Sequence, residues 1–269
     1  MIITQPPVGE MLREWRQRRR MSQLDLAFEA DISSRHLSFV ETGRAQPSRD
    51  MLLHLAERLD VPLRERNTLL VAGGYAPVFA ERELADPAMD AVRGAIELVL
   101  TAHEPYPALA VDRHWTMRAS NASVALFWMG VDPALLQPPV NILRMAVHPN
   151  GLSPRIANYR QWRSLLMARL RQQIAATADP FLIELVEEIQ SYPEPPGAAE
   201  GPPANDGEYA GIVTPLQITT DEGILSFFST TTVFGTPVDI TLSELAIEAF
   251  FPADARSAAI LQQLAAHQK

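Results

Sequence analysis

Between Ser33 and Arg44, side chains able to meet a nucleic acid alternate with apolar ones: Ser34, Arg35, Ser38 and Phe39 against Leu37 and Val40. Leu37 and Val40 lie three apart and turn inward on a helix. The other four then point outward, as on a helix that enters a DNA groove. A second cluster, His148, Asn150, Arg155, Asn158, Tyr159 and Arg160, falls within thirteen residues around an expected helix start. Arginines beside a helix N-terminus suit a carboxylate. Arg155, Tyr159 and Arg160 are the candidates to hold an acid head group, with Asn121 able to reach in. Arg155, Arg160, Arg163, Arg169 and Arg171 also read as a solvated helical face, and both readings stand at this level.

The elements that must position the first cluster are legible. Ser22-Gln23-Leu24-Asp25 is a capping-box signature opening a helix with apolar Leu24, Ala27 and Ala30. Asp31-Ile32-Ser33 is a tight connector. Ser33 caps a second helix, 34–42, which ends at Gly43, the residue suited to a left-handed C-terminal position. Helices are expected at 8–19, 22–30, 34–42, 48–59 and 62–72, with Gly73-Gly74 closing the last.

The stretch 12–59, LREWRQRRRMSQLDLAFEADISSRHLSFVETGRAQPSRDMLLHLAERLDV, resembles the XRE/phage-repressor family of helix-turn-helix proteins. It carries that family's basic first helix, SQ opening the second, Glu-x-Gly closing the third and Pro-Ser opening the fourth. The resemblance implies an all-α, lambda-repressor-like DNA-binding domain over residues 1–74. It also implies roles. Gln23 contacts phosphate, and Ser34 and Arg35 enter the major groove, where the Arg35 fork matches guanine O6 and N7. Phe39 departs from the family, which often has a polar reader at that position, and is expected to touch a thymine methyl instead; Arg44 looks like a backbone-phosphate contact. Ser33 is chiefly a cap, and Arg16 with Glu41 forms the ion pair that holds the recognition helix at its angle. Arg18, Arg19 and Arg20 read either as phosphate contacts or as a solvated helix end.

The 269 residues, enough for one large or two ordinary domains, are 47% hydrophobic and 20% charged, too apolar for a mostly disordered chain. Cysteine is absent, which excludes disulfides, a thiol nucleophile and Cys-zinc sites. No signal-peptide run or apolar stretch of about eighteen residues occurs, so a cytoplasmic location is expected, with no membrane partner. The net charge of −9 is unevenly distributed. Residues 1–75 carry eleven arginines against ten acids, a balance of +1, which leaves −10 on the remainder. A nearly neutral reader attached to an acidic body binds DNA weakly alone, which favours a homodimer on a two-part site.

Beyond residue 75 the order is mixed. Helices are expected at 86–103, 121–129, 153–176 and 179–192, and a hairpin pairs 108–112 with 115–120 across Arg113-His114. A flexible loop covers 193–207. Strands follow at 209–219, 223–233 and 236–240, then a capping-box helix from Thr241 to Phe250. This is an α+β pattern over 75–269. Large apolar groups that could converge are Trp115, Phe127, Trp128, Leu143, Trp162, Leu166, Phe227 and Phe228, as core or as a cavity lining.

The motifs YAPVF (75–79), DPAMDAV (86–92), HEPYPALAVDRHW (103–115), ASNASVALF (119–127), HPNGLSPRIANYRQW (148–162) and LSFFSTTTVFGTPVDITLSELAIEAFFP (225–252) resemble the MmyB-like regulator ligand-binding domain. That resemblance implies a PAS-like fold, a central antiparallel sheet with helices around an apolar pocket, and a small effector of the fatty-acid type. The expected ligand residues are Trp115, Asn121, Phe127, Leu143, His148, Arg155, Tyr159, Arg160, Trp162, Leu166 and Phe227. No nucleophile elbow, His-Glu-x-x-His pair or phosphate loop occurs, and adjacent His103 and Glu104 diverge on a helix end, so no enzyme, metal or cofactor is expected. The expected function is a DNA-binding transcriptional regulator sensing a small apolar ligand. A protein-interaction adaptor, or a constitutive repressor whose second domain only dimerises, are the alternatives.

Overall fold

The computed structural model describes residues 6–198 and 214–267. The chain divides into two compact units. One runs through Arg82 and includes Ala175–Thr177 and Thr236–Ser243; the other holds Glu83–Ile174, Ala178–Gly235 and the chain from Glu244 onward.

The first unit holds α1 (Val8–Arg18), α2 (Gln23–Glu29), α3 (Ser34–Glu41), α4 (Arg49–Arg58) and α5 (Leu63–Ala72). Hydroxyl caps start three of them. Ser22 Oγ accepts from Asp25 N while Ser22 N donates to the Asp25 carboxylate, a complete capping box. Ser33 Oγ accepts from His36 N and Ser48 Oγ from Met51 N. Gly43, at φ +71°, takes the left-handed turn that ends α3. Leu12, Leu26, Leu37, Leu52, Leu55, Leu59, Leu69 and Leu70 form the buried centre. The inward face of α2 differs from the expectation: Leu24 is 69% exposed, and Leu26, Ala27 and Ala30 are buried. The capping box fixes the phase of the first turn and carries Leu24 outward. Beyond Gly74, Asn67 holds the chain on α5. Its Oδ1 accepts from Val78 N and Phe79 N, and its Nδ2 donates to Phe79 O.

In the second unit a 3-10 turn at Pro87–Met89, capped by Asp86, leads into α6 (Asp90–Ala102). Then come the β1 (Ala108–Val111) and β2 (Met117–Ser120) hairpin, α7 (Ala125–Trp128), α8 (Ile142–Val147), α9 (Tyr159–Thr177) and α10 (Pro180–Ser191). After β3 (Leu216–Thr220) and β4 (Gly223–Val233), α11 (Ile240–Ser243) belongs to the first unit, and β5 (Ala246–Pro252) and α12 (Ala255–His267) return to the second. The sheet is antiparallel in the order β2-β1-β5-β4-β3. Ala108, Ala110 and Ile247 face Ile96 and Leu100 of α6. The opposite face, with Leu109, Leu216, Ile218, Leu225 and Phe227, packs on residues of α8, α9 and α10. This is the expected α+β architecture.

Three expected elements differ. The helix placed at 153–176 is a 3-10 turn, Ser153–Arg155, followed by extended chain and then α9. Ile156 bridges Ile218, Ala157 N donates to Gln217 O, and the Asn158 side chain bonds Gln217 N and Pro215 O, so β3 pulls this segment out of the helix. The strand placed at 236–240 is a single bridge between Asp239 and Ala80. The helix placed at 241–250 is one turn capped by the Asp239 carboxylate on Thr241 N, and Ala246–Pro252 is strand β5, paired on both sides. Of the expected strand 209–219, residues 209–213 lie outside the described residues, as does the loop of 193–207 from residue 199 on.

Candidate nucleic-acid interface and ligand pocket

The recognition candidates sit on α3 and its flanks. Ser33, Ser34, Arg35 and Arg44 are exposed, and Ser38 and Phe39 are half-buried. The Arg35 guanidinium lies 5.4 Å from the Phe39 ring centre, one turn on, which holds the fork over the outward face of the helix. The angle of α3 is set from beneath. Arg16 Nε donates to Glu41 Oε1 at 2.6 Å and Arg16 Nη2 to Oε2 at 2.9 Å, both side chains buried. Arg16 Nη1 also donates to Met21 O. Burial alone would raise the Glu41 carboxyl, but hydrogen bonds from Arg16 and Gln23 and the charges of Arg16 and Arg13 outweigh it and hold the group below its ordinary range. Gln23 Nε2 is engaged with Glu41 Oε2 at 2.7 Å, which orients the amide at the start of α2; this bond uses one of its two N–H hydrogens.

Two further residues of this unit escape a reading of sequence patterns. Arg19 donates from Nε to Leu59 O and from Nη2 to Asp60 O, capping the C-terminal end of α4. Gly9 lets α1 approach the end of α3: a Cβ there would lie 2.2 Å from Val40 O.

The second unit holds a cavity of about 230 Å³ between the sheet and the helices. Its floor is Leu109, Leu216, Ser229, Glu248 and Phe250, from four strands. Its walls are Trp115, Phe127 of α7, Ile142, Leu143, Met145 and Ala146 of α8, Leu152, and Trp162, Leu165, Leu166 and Arg169 of α9, with Thr214 beside β3. The lining is mostly apolar, as in binding sites for small organic ligands. Trp115 sits at φ +64°, a strained conformation for a bulky residue, and is held by Nε1 donating to Gln173 Oε1. Behind α8, Glu188 accepts from Arg144 at 2.5 and 2.7 Å and ties α8 to α10; the Arg144 hydrogen bonds lower the Glu188 carboxyl.

Of the ligand candidates, Trp115, Phe127, Leu143, Trp162 and Leu166 line this cavity together. Phe227 does not. It is fully buried beneath it, edge-on to Phe127 and Phe250. The polar candidates lie elsewhere, and Asn121, Arg155 and Arg160 are engaged by partners remote in sequence. Asn121 bonds Ala108 N, Leu100 O and Tyr106 O, bracing α6 against β1. His148 Nδ1 accepts from Asn150 N, and its ring meets Tyr192 edge-on. Arg155 donates to the carbonyls of Leu126, Met129 and Thr219. Arg160 pairs with Glu194 on the surface. Tyr159 is buried in the core, its hydroxyl without a hydrogen-bond partner, and burial raises its pKa. The cavity's own charged residues are Arg169 and Glu248. Arg169 follows Trp162 by two helical turns, a signal the sequence carried. Glu248 was hidden because its strand resembles a helix.

Among the described residues no helix is long and apolar enough to cross a membrane, and no group of His, Asp or Glu could hold a metal. The MmyB-like transcription regulator ligand binding domain matches residues 92–264, and a helix-turn-helix family matches residues 12–66. A protein of Methanoculleus marisnigri, whose name describes it as an HTH-type transcriptional regulatory protein, is 35% identical over 120 residues. That similarity covers 43% of this chain and 38% of the relative, so the chain spans well under two thirds of that relative's length. With a helix-turn-helix unit ahead of a cavity-bearing α+β unit, the chain belongs to the MmyB-like transcription regulators, defined by their ligand binding domain.

Proposed function

We propose that this regulator is a homodimeric, sequence-specific DNA-binding protein of the cytoplasm whose second unit senses a small apolar molecule, an acyl chain of the fatty-acid kind being the first candidate. The observation that carries the ligand reading is the mostly apolar cavity of about 230 Å³ lined from the sheet, α7, α8 and α9. A second domain that only dimerised, or an adaptor, has no use for such a space. On DNA, α3 enters the major groove, with Arg35 on base edges and Gln23 and Arg44 on phosphates. Two copies place their recognition helices about 34 Å apart, one turn of the duplex. The near-neutral first unit makes that pairing necessary for useful affinity. Ligand changes DNA binding only by favouring one of two states of the protein.

The test is mass spectrometry of an organic extract of gently purified protein, set beside the native mass of the intact chain. A stoichiometric long-chain lipid supports the sensor and supplies the ligand for DNA titrations. A clean extract, together with no binding of medium-chain amphiphiles by the purified chain, overturns it in favour of a constitutive repressor.

A further inference from the structure

The charged groups at the cavity neutralise one another. Glu248 stands on the central strand β5, 3% exposed, flanked across the sheet by Leu109 of β1 and Thr231 of β4. Arg169 Nη2 donates to Glu248 Oε1 at 2.6 Å and to Thr231 Oγ1 at 2.7 Å, and Nη1 reaches Oε2 at 3.2 Å. Thr231 Oγ1 lies 2.8 Å from the same Oε1. The guanidinium also stacks on Trp115, 4.5 Å from the ring centre. Arg169 is the one cation among the described residues lining the cavity. The stretch 199–213, which precedes Thr214 in the chain, contains Glu200, Asp206 and Glu208 and no arginine or lysine. The arginines expected to hold an acid head group, Arg155 and Arg160, are engaged with backbone carbonyls and with Glu194.

The pair joins a buried carboxylate to a guanidinium that is 40% exposed, so solvent screens one side of it and its worth to stability is small. Its chemistry toward a ligand is specific. Glu248 is an acceptor, and its Oε2 takes only the longer bond from Arg169, which leaves it room for a donor. Ser229, directly across from Phe250, adds a hydroxyl to the lining. A carboxylate brings no donor and meets the buried Glu248 as a like charge. At Arg169 it competes with Glu248, which already holds both Nη groups and is itself bonded by Thr231.

Resting on the apolar-ligand reading above, and narrowing its fatty-acid candidate to a neutral derivative, we infer that the Arg169–Glu248 pair favours an uncharged head group carrying an O–H or N–H donor, an alcohol or amide on an aliphatic chain, over the free carboxylate. Glu248 receives the donor hydrogen, Arg169 holds Glu248 in place, and Ser229 offers the complementary hydroxyl. Both residues are specificity determinants of the pocket.

The test uses the full chain at neutral pH, with Trp115 and Trp162 fluorescence reporting on the cavity they line. Decan-1-ol, decanamide and decanoate are titrated into the native protein, Glu248→Gln and the double variant Arg169→Gln/Glu248→Gln, each verified as folded by circular dichroism. The native protein binds the alcohol and amide about tenfold or more tighter than decanoate, the scale of one buried mispaired polar group. Glu248→Gln frees Arg169 and raises decanoate affinity by about tenfold, and the double variant, without the cation, loses that gain. Decanoate binding the native protein as tightly as the alcohol, or an alcohol-to-decanoate ratio unchanged in Glu248→Gln, overturns the inference. Failure of all three compounds to bind any folded variant overturns the apolar-ligand reading itself, and the head-group inference with it.

Discussion

Arg35 and Arg44 are both exposed arginines within ten positions of each other, and the fold places them differently. Arg35 projects from the first turn of α3 and is steadied over Phe39; Arg44 follows the left-handed Gly43, outside the helix. Arg35→Ala is expected to cost about 1–3 kcal/mol on the preferred operator and to relax base preference at one position. Arg44→Ala weakens specific and random DNA alike and lowers the salt slope by about one. Competitive mobility shifts across a salt series check this, and equal loss of specific and random binding in both variants contradicts it. Residue types and spacing sufficed to propose these roles because a recognition helix is local. The polar cluster 148–160 is less legible in sequence. Its types suit a carboxylate, but Arg155 bonds the carbonyls of Leu126, Met129 and Thr219, and Asn158 bonds Pro215 O and Gln217 N. Those partners lie so far along the chain that no spacing rule reaches them.

At the level of elements, helix starts were legible because hydroxyl caps act within three residues of themselves, as Ser22, Ser33 and Ser48 do. Close approach between helices was not. Gly9 reads as an ordinary small residue in an amphipathic helix, yet α1 meets the end of α3 there with no room for a methyl group. Gly9→Ala is expected to destabilise the first unit by about 1–3 kcal/mol, as overpacking does, and to weaken operator binding through a shifted α3. Thermal unfolding and an operator titration report the two effects. A variant as stable as the parent means that the helices separate at no cost. Strand β5 shows the opposite failure. Thr241-Leu242-Ser243-Glu244 has the form of a capping box, but Asp239 caps a single turn and β1 and β4 claim the residues that follow. Pairing on both edges outweighs a local helix signal.

On the scale of the molecule, strands β4 and β5 carry Ser229, Glu248 and Phe250 of the cavity, and the connection between them, Thr236–Ser243, belongs to the first compact unit. Within that unit Arg82 pairs with Asp239 at 3.0 Å and Ile240 N donates to Ala80 O. The β4–β5 connection thus ties two cavity-bearing strands covalently to the first unit, and under the proposed function it is the candidate route from ligand to DNA. Asp239→Ala is expected to leave DNA and ligand binding in place while the ligand-dependent change in DNA affinity, commonly about 5- to 150-fold in such couplings, shrinks toward none. DNA titrations with and without ligand measure it, and undiminished coupling would remove the connection from the route. The sequence alone determined the two-part organisation, the reader helix with its caps, the acidic second body and the apolar residues available for a cavity, because composition, helical period and capping act over one or two turns. Only the tertiary structure decided that Glu248 faces Arg169, that β5 is a strand, that the polar cluster braces the frame outside the cavity, and that Thr236–Ser243 packs with the first unit. Each of these depends on strand pairing or packing between distant segments, whose free energy exists only once the chain has closed on itself.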